Sequence, residues 1–185
     1  MRFQGTFFDR RTHIVGIVIR KATVNDAGQV ADVMNAVIAE GKYTLLDRPF
    51  SEEEERAFIL SLSDRSAVYA AEIDGEIVAA QSIGLFTDYA DSVRHVATMG
   101  TWLRRDFRGR GIGRLLAEES FKFARSVGYM KIVIQVLADN ESALRFYRRL
   151  GFQDIGIARQ HVRLGDKFHD EVYLEKLLEN AENIT

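Results

Sequence analysis

From Ile14 to Ile19 the chain runs Ile-Val-Gly-Ile-Val-Ile, and with Arg20 this β-branched stretch predicts a first strand. Thr23 followed by Asp26 has capping-box spacing, and Val30, Val33, Met34, Val37 and Ile38 then fall on one helical face, which predicts a first helix. Gly41 to Phe50 holds the only proline, Pro49, with Tyr43 and Phe50, and reads as an irregular loop able to lean over a pocket. Ser51 with Glu54 makes a second capping box. Glu52 to Glu55 put negative charge where a helix dipole favours it, so the acidic run marks a helix start rather than a metal or substrate site. Phe58, Ile59 and Leu62 are that helix's predicted buried side.

Ala67 to Ile73 and Glu76 to Phe86 are strand-like and joined by Asp74-Gly75, a two-residue hairpin signal. Thr87 to Arg94 is polar loop. His95 to Leu103 follows as a strand, with a bulge predicted at Gly100. A helical run from near Arg110 to Val127 buries Ile112, Leu115, Leu116, Phe123, Ala124 and Val127, and Gly128 closes it. Lys131 to Leu137 is so apolar that both faces of this strand should be covered. Asp139-Asn140 opens a short helix that runs to Leu150 and stops at Gly151. Phe152 to Leu164 and Phe168 to Leu177 are the last strands, turning at Gly165-Asp166. Residues 1–13 show no clear period and form an N-terminal extension, either an added strand or partner contact or a mobile arm. Residues 14–178 make one domain without repeats or linkers, and 179–185 a polar tail.

The 185 residues, 46% hydrophobic and 28% charged, are those of an ordinary globular domain large enough for a proper core. A net charge of -2 argues against nucleic acid as a partner. Basicity is local instead: Arg104, Arg105, Arg108, Arg110 and Arg114 share one short window, which suits a small polyanion. Having no cysteine excludes disulfides and thiolate nucleophiles. The four histidines lack paired metal-ligand spacing, so no metal centre is expected. Ile14 to Ile19 is too short to span a bilayer and no signal-peptide layout is present, so a cytoplasmic protein without a membrane partner is expected.

The basic window contains Arg108-Gly109-Arg110-Gly111-Ile112-Gly113, between a strand and a helix. Bare backbone N–H groups at a helix start, under the positive end of the dipole, form an anion site. A P-loop would need Lys and then Ser or Thr after the last glycine, where Arg114 and Leu115 stand. A dinucleotide fingerprint would read Gly-x-Gly-x-x-Gly near the start of a parallel sheet, whereas this loop reads Gly-x-Gly-x-Gly past mid-chain. The plain alternative is a flexible basic turn.

The order of elements, this loop, and Asn140-Glu-Ser-Ala143-Leu-Arg-Phe146-Tyr147-Arg-Arg-Leu150-Gly151-Phe152 together resemble the GNAT (Gcn5-related) N-acetyltransferase superfamily from about Ile19 to Leu178. Ile19-Arg20-Lys-Ala22-Thr23 with Asp26, and Gly165-Asp-Lys-Phe168-His-Asp170-Glu171, are similar to the phosphinothricin or methionine sulfoximine acetyltransferase-like branch. Acetyltransferases of ribosomal protein N-termini share the two core motifs. The resemblance implies an α/β, GNAT-type acyl-CoA N-acyltransferase fold with a mixed central β-sheet flanked by helices. It implies transfer of an acetyl group from acetyl-CoA to a primary amine of a small molecule, such as an amino acid or analogue, by direct attack in a ternary complex. The alternatives are acetylation of a protein N-terminus or lysine, and a non-catalytic CoA-binding module. Because the family often dimerises, the resemblance leaves room for a homodimer.

Carried onto this chain, the resemblance assigns the pyrophosphate to Arg108, Gly109, Arg110, Gly111, Ile112, Gly113 and Arg114. The pantetheine arm pairs with Thr101, Trp102 and Leu103, and Asn140, Ala143, Phe146 and Tyr147 complete the cofactor site. The N–H of Leu103, or of a close neighbour, would be the oxyanion donor. Tyr147 is the candidate general acid; Phe146, Tyr147 and Leu150 fit a buried helix face equally well. Asn140 contacts the cofactor arm or simply caps its helix. Relatives in this branch often carry Glu where Thr98 stands, and threonine cannot take a proton at neutral pH. His95 is the candidate base, against an exposed strand-end histidine, with Glu72 and Glu40 as weaker candidates. Trp102 packs under the cofactor or in the core. Tyr43, Phe50, Phe86 and Tyr89 fall in segments that flank the acceptor pocket in this fold.

Overall fold

A computed structural model describes residues 3–4 and 16–178. The remainder of the predicted N-terminal extension, and the tail from residue 179, lie outside the described residues. Eight strands form one mixed sheet: β1 (Phe3–Gln4), β2 (Val18–Lys21), β3 (Ala67–Ile73), β4 (Glu76–Leu85), β5 (Val96–Leu103), β6 (Lys131–Leu137), β7 (Gln153–Leu164) and β8 (Lys167–Leu177). Their spatial order is β1-β2-β3-β4-β5-β6-β8-β7, antiparallel throughout except for β5 beside β6. The helices are α1 (Ala27–Ile38), α2 (Glu52–Ser61), α3 (Ile112–Ser126) and α4 (Glu141–Arg149). None is long and apolar enough to cross a membrane.

Strand alternation sends side chains to two faces, and each face is covered by its own helices. Val68 and Ala70 of β3 pack with Ile77 and Ala80 against Val30, Val33 and Met34 of α1. Tyr69 and Ala71 turn the other way, joining Ile112, Leu116 and Phe123 of α3 and Leu144 and Tyr147 of α4. Leu116 and Ile112 are almost completely buried; each such side chain contributes about 1.5–3 kcal/mol.

Local signals account for most element boundaries. Asp74 and Gly75 both have positive φ, as a type I′ hairpin turn requires. Both capping boxes are formed, Thr23 with Asp26 and Ser51 with Glu54. Three expectations are corrected. The first strand starts only at Val18, because Gly16 is in a turn. Phe58 is 45% exposed, whereas Glu55 is buried with Ile59, one helical turn on. At Gly100 there is no bulge, since β4 and β5 stay in register from Ala97 to Leu103. A Cβ on Gly100 would lie 2.8 Å from Cη2 of Trp102, so glycine is there to let the indole fold back along the strand.

Candidate active site

β5 and β6 pair only at Val96↔Lys131 and Ala97↔Ile132, then diverge. Along its other edge β5 stays bonded to β4, from Phe86 N–H to the Val96 carbonyl and from Arg104 N–H to the Val78 carbonyl. In an antiparallel ladder alternate residues turn their N–H and C=O groups to opposite edges. Those two end bonds assign the even-numbered residues, Thr98, Gly100 and Trp102, to β4. Met99, Thr101 and Leu103 therefore present their main-chain groups to the gap, and a cavity of about 1130 Å³ runs through it. Trp102, expected with them, offers the gap only its side chain.

The gap ends at the start of α3. Gly111 is the N-cap, with φ 84°, a left-handed conformation that costs other residues energy. Among the described residues, no acceptor takes the N–H groups from Gly109 to Gly113. Gly109, Gly111, Ile112, Gly113 and Arg114 line the cavity. Arg110 does not, and its guanidinium lies over the Phe107 ring. Arg108 is present but engaged. Its guanidinium grips both carboxylate oxygens of Glu40, donates twice to the Leu103 carbonyl at 3.0 and 3.1 Å, and stacks on Tyr43 at 4.7 Å. It thereby ties the α1–α2 connection to the end of β5 and occupies the Leu103 carbonyl, leaving the Leu103 N–H. Arg114, Arg125, Arg145, Arg149 and Lys176 line the α3–α4 side; Glu118, also in the lining, pairs with Arg114, and Glu141 pairs with Arg145.

From α4 come Asn140, Ala143, Phe146 and Tyr147, all lining the cavity. Asn140 caps the helix by accepting from Ala143 N–H at 3.1 Å, and its amide donates to the Tyr43 carbonyl at 3.3 Å. It thus ties the cap to the loop. The buried Tyr147 hydroxyl donates to Oγ1 of Thr101 at 3.0 Å. Burial raises its pKa, against a smaller opposing effect of the Thr101 bond, so the phenol keeps its proton at neutral pH. Thr101 Oγ1 also accepts from Gln81 Nε2 at 2.7 Å, and Gln81 Oε1 accepts from Ser120 at 2.6 Å. The sequence reading missed Gln81 and Ser120. Their only signals are a glutamine inside an apolar strand and a serine four residues after Leu116 on the buried face of α3.

On the opposite face of β5, Thr98, Gly100 and Trp102 meet Val37 and residues Tyr43 to Leu46, with Gln135 from β6. The loop does lean over the cavity. Phe50, Phe86 and Tyr89 are not in its lining. His95 is not brought to the site either: it is exposed at the joined end, where its carbonyl accepts from Met130 and Lys131. Glu72 is paired with Arg20 on β2, and Glu40 with Arg108. One strand beyond the gap, Glu171 is 2% exposed, its Oε1 has no partner, and burial raises its pKa. No group of His, Asp or Glu among the described residues could hold a metal ion.

A sheet split between two parallel strands, with a bare helix start at the open end, can take an extended ligand along the free strand edge and an anionic group at the helix. The acetyltransferase (GNAT) family model matches residues 32–152, and the chain belongs to that family. It is 24% identical over 170 residues to phosphinothricin N-acetyltransferase of Streptomyces coelicolor, an alignment covering 88% of this chain and 96% of that one. Over 58 residues it is 41% identical to N-alpha-acetyltransferase RimI of Mycobacterium tuberculosis, which spans 31% of this chain and 35% of that protein. The structure of YncA from Salmonella typhimurium with its cofactor acetyl-CoA superposes with TM-score 0.82 at 20% identity, over 88% of this chain and 94% of that one.

Proposed function

We propose that the protein transfers the acetyl group of acetyl-CoA to a primary amine of a small molecule. The observation that carries this reading is the unpaired inner edge of β5, with the N–H groups of Met99, Thr101 and Leu103 leading to the bare start of α3. An extended amide-bearing arm can add to such an edge as a strand would. The N–H groups from Gly109 to Gly113 hold the diphosphate, and the basic α3–α4 rim takes any further phosphate.

Acetyl-CoA supplies an acetyl group already activated as a thioester. The chain's own part is placement and proton transfer. The N–H of Leu103, or of Thr101 beside Tyr147, donates to the carbonyl oxygen as negative charge gathers there. Tyr147 delivers its phenolic proton to the departing sulfur. Thr101, held by Gln81, fixes where that hydroxyl points. With Thr98 at the position of the usual carboxylate and His95 outside the cavity, the amine attacks as the free base.

Release of thiol from acetyl-CoA in the presence of amines tests the reading. Tyr147→Phe should lower kcat by about 100-fold, the scale of general acid catalysis, while acetyl-CoA affinity by calorimetry stays within about twofold. Unchanged turnover removes Tyr147 from the chemistry; loss of binding in the unaltered protein removes the whole reading.

A further inference from the structure

Charge on the cavity wall is one-sided. The cations sit with α3 and α4, while the wall facing α1 is built from Val37, Tyr43, Leu45, Leu46 and Trp102, with Thr44, Thr98 and Gln135 as its neutral polar members. Among the described residues two cations reach this side: Arg108, whose fork is committed to Glu40 and the Leu103 carbonyl, and Lys42, which is outside the lining with its Nζ 4.9 Å from the centre of the Tyr43 ring. The next carboxylates on this sheet face, Glu171 and Glu175, stand on β8 outside the lining, beside His161 and Lys131. Tyr43 offers an uncharged aromatic face, and burial raises the pKa of Tyr147, which keeps its proton. Among the described residues that line this wall none offers an uncommitted charge, so an acceptor carboxylate held inside it would be desolvated without a lining counter-ion, and so would an ammonium group.

Resting on the acetyltransferase reading, we propose that the acceptor is a primary amine on an apolar, aromatic or branched aliphatic skeleton with no carboxylate, bound with its nitrogen uncharged. The indole of Trp102, laid back over Gly100, is the floor of its site, and Leu45, 50% exposed, stands at the mouth. Such a wall binds the carbon skeleton by area and holds the nitrogen as free base by desolvation, which replaces the missing carboxylate at Thr98. The nitrogen lone pair forms the C–N bond as the C–S bond breaks. Sulfur takes the Tyr147 proton, the surplus proton on nitrogen leaves through the open mouth to water, and a proton from water restores the Tyr147 phenol, so no net proton is gained or lost.

The test compares benzylamine, ring-substituted benzylamines, phenylalanine, glutamate and a short peptide with an apolar N-terminus, using thiol release. Benzylamine should exceed phenylalanine, which adds a carboxylate beside the amine, at least about tenfold in kcat/KM. Profiles of kcat/KM against pH should break at each benzylamine's own pKa and move with the ring substituent. Gly100→Ala, which displaces Trp102, should raise the acceptor KM at least about tenfold while the Kd for acetyl-CoA holds. Leu45→Arg, at a half-exposed position that tolerates it, should move preference toward phenylalanine. Equal or better use of amino acids or the peptide by the unaltered protein overturns the proposal, as does one fixed break in pH for every amine. Tight acetyl-CoA binding with no turnover of any amine overturns it and leaves the cofactor site standing; no binding overturns both.

Discussion

Asp26 joins the end of β2 to the start of α1 through four hydrogen bonds. It accepts from both terminal nitrogens of Arg20 at 2.8 Å, and from the N–H and hydroxyl of Thr23 at 2.7 and 2.9 Å. The Arg20 guanidinium, working against burial, holds the carboxyl at about 2. A depressed folded-state pKa gives stability that is present above the ordinary carboxylate range and lost as pH falls through the folded value. Asp26→Asn should therefore cost roughly 2–3 kcal/mol at pH 7 by denaturant titration, and the gap to the unaltered protein should close between pH 4 and pH 2. Equal stability at pH 7 would refute this. Thr23 and Asp26 were legible because capping is local. The roles of Arg20 and Arg108 were not, because their partners Glu72 and Glu40 lie 52 and 68 residues away. Spacing cannot tell an arginine that faces a phosphate from one held by a distant carboxylate.

At the scale of elements, α3 concentrates what was legible. A strand, three glycines and an amphipathic run announce a helix start with bare N–H groups, and the helix begins there with Gly111 as its left-handed N-cap. Gly111→Asp should weaken acetyl-CoA binding by at least about tenfold in calorimetry, since the substitution adds backbone strain and sets a negative charge against the diphosphate. Unchanged affinity would place the diphosphate elsewhere. Two misreadings have separate causes. At Phe58 the hydrophobic side chain stays exposed, while Glu55 is buried beside the expected Ile59. At Gly100 a general habit of strand glycines was weighed above the size of the neighbouring indole. The first follows from the i, i+4 spacing of Glu55 and Ile59 on one helix face, the second from the packing of the indole against the strand.

Across the whole molecule, the feature that shapes the proposed site is a failure of pairing. β5 and β6 read from sequence as two ordinary apolar strands, and nothing local says that their ladder stops after two residue pairs. Where the strands diverge, α3 and α4 pack against one face of the sheet and the α1–α2 connection is tied down by Arg108 and Asn140. Amide exchange can resolve it residue by residue. In the free protein, Thr98, Gly100 and Trp102 bond to β4 and should exchange slowly, whereas Met99, Thr101 and Leu103 face the gap and should exchange fast. Saturating coenzyme A stabilises every globally exchanging amide by the same amount, about 2.7 kcal/mol at 100 times Kd. The gap-facing amides should gain far more than that uniform increment in relative terms, because they pass from unbonded to bonded. If all six slow by one common factor, the ligand does not pair with β5, and the edge that defines the proposed site has another use.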